Sequence, residues 1–130
     1  MIRDASILIV DDDQDIREVF RFVLEAAGYD VSLAADGLDA WRTLNAHHRP
    51  ALILLDLMMP VMDGEQFLTK LHSSSYSDIP VVILSGNNAA QSKANELKAN
   101  GCLIKPVELE ELLNTVCRFV PVPVKRPDAA

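Results

Sequence analysis

Ala51-Leu-Ile-Leu-Leu-Asp56 is an apolar run that ends abruptly in a carboxylate. An unbroken run of this length is typical of a strand buried on both faces of a parallel sheet. A second run, Ile7-Leu-Ile-Val10, ends in the same way at Asp11-Asp12-Asp13. Because the carboxyl ends of parallel strands lie at one edge of a sheet, these acids would surround a single crevice. The sequence therefore predicts a site for a divalent metal or a phosphoryl group at this edge.

Strand-like and helix-like patterns alternate five times along the rest of the chain. Strict alternation predicts parallel strands with right-handed crossovers and helices on both faces, so we expect a doubly wound α/β fold. Asp13 and Asp63 are suited to cap helices, and Gly28 is suited to end one. The predicted strands are residues 7–10, 29–34, 51–55, 79–84 and 102–104, and the predicted helices are residues 16–27, 38–46, 64–71, 87–97 and 109–120. The fourth helix offers only small residues and one leucine to a core, so it should be weakly anchored.

The length of 130 residues fits one domain, which we place at residues 1–120, followed by a proline-rich tail or linker at residues 121–130. The apolar runs are far shorter than the ~20 residues that span a bilayer, and no apolar leader opens the chain. We therefore expect a cytoplasmic protein without a membrane segment.

Charge and cysteine content narrow the classes of partner. The formal net charge of -7 argues against direct nucleic-acid binding, which needs clustered Lys and Arg, and favours cationic partners that include metal ions. Cys102 falls in a predicted strand and Cys117 in a predicted helix. We expect both to be buried, reduced thiols without a disulfide between them.

Four segments, taken together, resemble the receiver domain of two-component response regulators. They are Ile7-Leu-Ile-Val-Asp-Asp-Asp13, Asp56-Leu-Met-Met-Pro-Val-Met-Asp-Gly64, Val82-Ile-Leu-Ser-Gly86 and Leu103-Ile-Lys-Pro106, and they occur in the family's order. The resemblance implies a flavodoxin-like sheet with strand order 2-1-3-4-5, which is an order that the handedness rules alone do not give.

The resemblance also implies a role for each acid. Asp56 would be the phosphoacceptor, and Mg²⁺ would be held by Asp12, Asp56 and the backbone carbonyl of Met58. Asp11 would complete the metal site by orienting a bound water. These roles agree with simple chemistry, because Mg²⁺ is a hard cation that takes one or two carboxylates and keeps several waters.

Two further residues would act on the phosphoryl group. Lys105 would offset its negative charge, and the Ser85 hydroxyl would contact one of its oxygens, as the resemblance implies. The family usually carries Lys-Pro with a cis peptide at the first of these positions. One residue departs from the pattern: Cys102 stands where the family usually has Tyr or Phe, whose ring changes orientation on phosphorylation.

We therefore expect a receiver that takes a phosphoryl group from the phosphohistidine of a sensor kinase or a histidine phosphotransfer protein. It would then signal to a downstream effector protein or a fused output domain. It would not be an enzyme in the ordinary sense, since it would catalyse only its own phosphotransfer and dephosphorylation. An alternative is a phosphatase with an aspartyl-phosphate intermediate, but such enzymes resemble one another in a second Asp two residues after the nucleophile, where this chain has Met58. The intact set of acids, hydroxyl and lysine also argues against a receiver that serves only as a binding module.

Overall fold

Short apolar runs form the strands, and amphipathic segments between them form the helices. The computed structural model describes residues 5–46, 49–59, 62–86 and 90–122. The strands are β1 (Ser6–Val10), β2 (Asp30–Ala34), β3 (Leu52–Asp56), β4 (Val81–Ser85) and β5 (Gly101–Ile104). The helices are α1 (Gln14–Ala26), α2 (Gly37–Ala46), α3 (Gly64–His72), α4 (Ala90–Glu96) and α5 (Leu109–Phe119).

The described residues form a five-stranded sheet in the order β2-β1-β3-β4-β5, and every pair is parallel. This confirms the predicted doubly wound fold and its 2-1-3-4-5 order. In the pairing of β1 with β3, Val10 lies opposite Leu55, so the two strands end at the same level. All five residues of β3 are buried, as expected for its continuous apolar run.

Alternate strand residues face two separate cores, one on each side of the sheet. On one face the sheet packs against buried residues of α1 and α5, namely Phe20, Leu24, Leu112 and Val116. On the other face it packs against α2, α3 and α4, through Ala40, Leu44, Phe67, Leu68, Leu71 and Ala94. Helices therefore cover both faces of the sheet, which agrees with the prediction that its strands are buried on both sides.

The ends of α1 follow the sequence signals, but its buried face is narrower than predicted. Asp13 is the N-cap, and Gly28 follows the helix with a φ of 105°, a conformation that suits glycine. Phe20 and Leu24 face the core, whereas Val19 is 47% exposed. The sequence has Ile16, Val19, Phe20, Val23, Leu24 and Ala27 at helical spacing, which predicts that all six face the core. Val19 lies about 100° from Phe20 around the helix and so falls at the edge of the buried face.

The two cysteines differ from the prediction in burial. Both are free, which confirms the absence of a disulfide, but Cys102 is only half-buried and Cys117 is exposed. The prediction for Cys117 was wrong because α5 buries Thr115 and Val116, and the next residue points away from that face. Cys102 lies on a strand near the edge of the sheet, where β5 pairs with β4 alone.

Most boundaries lie within one or two residues of the predicted ones, and parts of two predictions lie outside the described residues. β4 begins at Val81, after Pro80, so the proline precedes the strand and removes no ladder hydrogen bond. The helix predicted for residues 87–97 is described from Ala90 to Glu96, and residues 87–89 lie outside the described ranges. Of the tail, residues 121 and 122 are described and exposed, and residues 123–130 are not described. Among the described residues, none of the helices has the length and hydropathy needed to cross a bilayer.

Candidate metal centre

The two central acids come together because β1 and β3 end side by side. Asp56 is the last residue of β3, and Asp11 is the first residue after β1. Asp12 follows Asp11 in the loop that leads to α1. Carboxylate oxygens of these three residues all lie within 4.8 Å of one another. The structure therefore brings together the three acids that the sequence predicted for one crevice.

The third acid of the run, Asp13, has a different task. Its Oδ1 accepts hydrogen bonds from the amides of Asp15 and Ile16, at 2.9 Å and 3.3 Å, and so caps α1. Its own amide donates to Asp11 Oδ1 at 2.9 Å. Asp13 thus orders the loop and leaves the other acids to form the cluster, as the sequence suggested.

Gly64 brings the start of α3 against the end of β3. The Gly64 amide donates to the carbonyl of Leu57 at 3.2 Å. A Cβ at this position would collide with the carbonyl oxygen of Asp56 and would lie 2.7 Å from the Cα of Leu57. Only glycine permits this approach. The side chain of Asp63 caps α3 through the amide of Gln66, which confirms the predicted cap.

Lys105 reaches into the acid cluster from the end of β5. Its Nζ lies 2.8 Å from Asp11 Oδ2 and 3.5 Å from Asp56 Oδ2. Its amide donates to the carbonyl of Ser85 at 2.8 Å, which ties the ends of β4 and β5 together. The Lys105-Pro106 peptide is cis, as in the family that the sequence resembles. The ammonium therefore lies closer to Asp11 than to Asp56. The sequence analysis did not predict this ion pair between Lys105 and Asp11.

Ser85 and Met58 both lie beside Asp56. Ser85 ends β4, is 5% exposed, and follows Leu84, which pairs with Asp56 across the sheet. The amide of Met58 donates to Asp56 Oδ1 at 3.1 Å. The Met58 side chain is 78% exposed, so it is the backbone of this residue that adjoins the site.

The surroundings of Asp56 disfavour its charged form. Burial, which is the largest effect, raises its pKa to about 6, and the charge of Asp11 and a hydrogen bond with Asp12 act in the same direction. The Met58 amide and Lys105 oppose this rise without cancelling it. For Lys105, burial alone would lower the pKa, but its bonds and charge interactions with Asp11 and Asp56 outweigh burial and raise it.

The donor set suits a hard cation. Three carboxylates face a single ammonium, so negative charge remains in excess at the cluster. All the available donors are oxygens, and one of the three acids, Asp12, is exposed to solvent, so water can share the coordination. The pocket formed by Asp11, Asp12 and Asp56 is thus able to hold a metal ion.

One contact at the site was missed from the sequence. Arg17, in the first turn of α1, turns back and donates from Nη1 to the backbone carbonyl of Asp11 at 2.6 Å. The available signal was a basic residue one helical turn after the capping Asp13, which places it over the loop that carries the acids.

A doubly wound parallel sheet, with an acid cluster and a lysine at its carboxyl edge, defines an α/β domain with an oxygen-rich pocket that is able to hold a cation. The comparison with known families is more specific. Residues 7–117 match the family described as the response regulator receiver domain. The chain belongs to this family.

Curated relatives agree with this membership. The chain is 40% identical over 111 residues to the response regulator MprA of Mycobacterium sp. (strain KMS), which covers 84% of this chain and 47% of that protein. It is 38% identical over 117 residues to the response regulator Rre1 of Synechocystis sp., covering 86% of this chain and 50% of that protein. The chain thus spans about half the length of the curated relatives it matches.

Solved structures share the fold over nearly their whole length. The chemotaxis protein CheY4 of Vibrio cholerae superimposes with a TM-score of 0.82 at 34% identity, covering 90% of this chain and 99% of that one. A response regulator from Chloroflexus aurantiacus gives a TM-score of 0.83 at 30% identity, with 91% and 98% covered. The chain is therefore a receiver domain in both sequence and fold.

Proposed function

We propose that Asp56 accepts a phosphoryl group from a phosphohistidine of a partner kinase or phosphotransfer protein, in a reaction that requires Mg²⁺. The observation that carries this proposal is the environment of the Asp56 carboxylate. It is 4% exposed, and it lies within 4.8 Å of two other acids and 3.5 Å from an ammonium. Asp11 is also buried beside the same groups, but both of its carboxylate oxygens accept hydrogen bonds, from the Asp13 amide at 2.9 Å and from Lys105 Nζ at 2.8 Å. Asp56 is therefore the better candidate for the nucleophile.

In the proposed reaction, a carboxylate oxygen of Asp56 attacks the phosphorus atom. The new oxygen–phosphorus bond forms as the phosphorus–nitrogen bond of the phosphohistidine breaks, and the electron pair of that bond leaves with the imidazole. The raised pKa of Asp56, about 6, still leaves the carboxylate ionised at neutral pH, so it can act as the nucleophile. The product is an acyl phosphate on Asp56.

A bound Mg²⁺, held by Asp12, Asp56 and the backbone carbonyl of Met58 beside Asp11, would neutralise charge on the phosphoryl oxygens. Lys105 supplies a second positive charge, because its Nζ already lies 3.5 Å from Asp56 Oδ2. The Ser85 hydroxyl, at the end of the neighbouring strand, is suited to donate to a phosphoryl oxygen. These three contributions oppose the repulsion between two anions.

An apolar groove adjoins Lys105 on the α1 side and supports the proposal of a protein donor. It is lined by Asp15, Ile16, Val19, Phe20, Lys105, Pro106, Val107 and Leu109. A small-molecule donor needs no such surface, whereas a phosphohistidine on a helix or loop must be held against the acceptor. Since kinases that use ATP supply phosphohistidine inside the cell, the proposal places this domain in the cytoplasm.

The proposed output is a change in conformation, read by a downstream effector protein or by an output domain fused to the receiver. Phosphorylation adds charge next to Lys105 and Ser85, which end β5 and β4. We propose that the response passes from these strand ends to α4. We also propose that the domain processes no external substrate and that its own phosphorylation and dephosphorylation are its only catalysis.

The test is the site of phosphorylation. The protein is incubated with Mg²⁺ and acetyl phosphate, and its intact mass is measured over time. The parent and Asp13→Asn should each gain one phosphoryl group, because Asp13 only caps α1, and Asp56→Asn should gain none. A phosphoryl group on Asp56→Asn would overturn the assignment, and omission of Mg²⁺ should slow the parent strongly.

A further inference from the structure

The guanidinium of Arg17 binds the loop that joins β1 to α1 and carries Asp11, Asp12 and Asp13, called the acid loop below. Its Nη1 donates to the backbone carbonyl of Asp11 at 2.6 Å, and its own amide donates to the carbonyl of Asp13 at 3.1 Å. The guanidinium bond is charge-assisted, which makes it about twice as strong as one between neutral groups. Arg17 therefore links the first turn of α1 to both ends of the acid loop, at Asp11 and at Asp13.

The carbonyl of Asp11 belongs to the peptide that joins Asp11 to Asp12. Its orientation sets the direction from which the Asp12 side chain leaves the backbone. The residues on either side are also held, since the Asp11 amide donates to Ala34 at 3.1 Å and the Asp13 amide donates to Asp11 Oδ1 at 2.9 Å. Asp12 is the exposed member of the acid cluster, so its placement depends on this backbone.

We propose that Arg17 is a positioning residue for the cation site. It fixes the peptide between Asp11 and Asp12 and thereby holds the Asp12 carboxylate where a hard cation needs it. The proposal rests on the cation site of the proposed function, but it concerns residues of this chain alone. Arg17 acts through the backbone of Asp11, and neighbours of a metal ligand commonly influence affinity in this way.

Arg21 is a matched control on the same helix. It lies one turn further along α1, and its guanidinium pairs with Glu18 at 3.5 Å and Glu25 at 4.0 Å on the surface. Arg17→Gln and Arg21→Gln remove the same charge from the same helix. Only the first removes the bond to the acid loop, so the pair separates positioning from net charge and from helix stability.

The experiment measures Mg²⁺ affinity by calorimetry in the parent, Arg17→Gln, Arg17→Lys and Arg21→Gln, with melting temperatures to ensure that all four are folded. Arg17→Gln should bind roughly 10-fold more weakly. Arg17→Lys should recover part of this loss, because an ammonium can still donate to the carbonyl, and Arg21→Gln should stay near the parent. Unchanged affinity in Arg17→Gln, or an equal loss in Arg21→Gln, would overturn the proposal.

A second readout needs no metal. Amide hydrogen exchange at Asp13 should be faster by about 10-fold in Arg17→Gln than in Arg21→Gln, because the loop loses one of its bonds. Equal exchange in the two variants would overturn the positioning role. If the parent fails to bind Mg²⁺ at all, the cation site of the proposed function falls, and this exchange rate still decides whether Arg17 orders the loop.

Discussion

Two regions of the molecule differ in burial and in hydrogen bonding: the carboxyl edge of β1 and β3, and the region around α4. Asp11 is fully buried, and its amide, its carbonyl and both carboxylate oxygens take part in hydrogen bonds. On α4, Ala94 is buried, and Lys93 reaches Glu65 of α3 through a surface ion pair of 3.3 Å. Exposed pairs of this kind contribute little to stability. The contrast separates a buried, fully hydrogen-bonded residue at the acid cluster from a helix that is held by fewer buried contacts.

Under the proposed function, this difference would allow one small domain to hold a reactive group and still respond to it. Phosphoryl transfer needs carboxylates in fixed positions, and these lie at the ends of the buried strands β1 and β3. A response needs an element whose two positions differ little in free energy, and a helix with few apolar contacts meets this condition. The predictions below test each side of the comparison.

The largest effect is expected from a core residue under the site. Leu54 in β3 is fully buried, so Leu54→Ala should destabilise the protein by about 3–5 kcal/mol. Leu97, just after α4, is only partly buried against the core, and Leu97→Ala should cost about 1 kcal/mol. Urea unfolding measures both. Equal losses would contradict the view that α4 is the weakly anchored element.

Lys105→Ala tests the electrostatic side of the site. The substitution leaves Asp11 and Asp56 without their ammonium partner and should cost about 2–3 kcal/mol, less than for a fully buried pair because the Lys105 side chain is 23% exposed. Asp56 should still accept a phosphoryl group slowly, but the amide shifts at residues 90–104 on adding a phosphate mimic should shrink. A full response in the variant would exclude Lys105 from the switch.

Asp56→Asn should stabilise the metal-free protein, and the gain should depend on pH. The folded pKa of Asp56 is about 6, above its ordinary 3.8, so the folded state holds the proton more tightly than the unfolded chain. As pH rises from about 4 to 6, the parent therefore loses stability that the asparagine variant keeps. The gain should be near zero below pH 4 and about 1–3 kcal/mol at pH 7.

Urea unfolding in EDTA at pH 4 and pH 7 measures this gain. Asp13→Asn is the matched control and should change stability little at either pH, because an asparagine oxygen can still cap α1. Saturating Mg²⁺ should narrow the gap at pH 7 by stabilising the parent alone. A gain for Asp56→Asn at pH 4 as large as that at pH 7 would contradict the raised pKa.

The sequence predicted the site best for residues whose position follows from the direction of the strands alone. Asp11 and Asp56 follow buried parallel strands, so they had to meet at one edge, and Asp13 had the spacing of a helix cap. The bond from Lys105 to Asp11 depends on how far a flexible side chain reaches between strands that are not adjacent. The exposure of Cys117 depends on a rotation of one residue around α5. Neither is encoded in a local pattern.

The smallest effect is expected at Cys102, where the family usually has an aromatic ring. The Cys102 thiol is not confined to packing, because its Sγ donates to Gln91 Oε1 at 3.2 Å and so links β5 to α4. A thiol is a weak donor, and the contact is exposed, so we still expect a minor role. Gln91 also donates to Asn95 at 3.2 Å, so it keeps a partner on its own helix.

Cys102→Ala should therefore cost less than about 1 kcal/mol and should leave phosphorylation of Asp56 unchanged, since Cys102 is not part of the cluster formed by Asp11, Asp12 and Asp56. Cys102→Ser is the matched variant, because a hydroxyl keeps a donor at the same position. Amide spectra of α4 with and without a phosphate mimic should show the full response in both. A response lost in the alanine variant and kept in the serine variant would mean that the bond from β5 to Gln91 carries the signal into α4, and that a single weak contact has taken over the task of the missing ring.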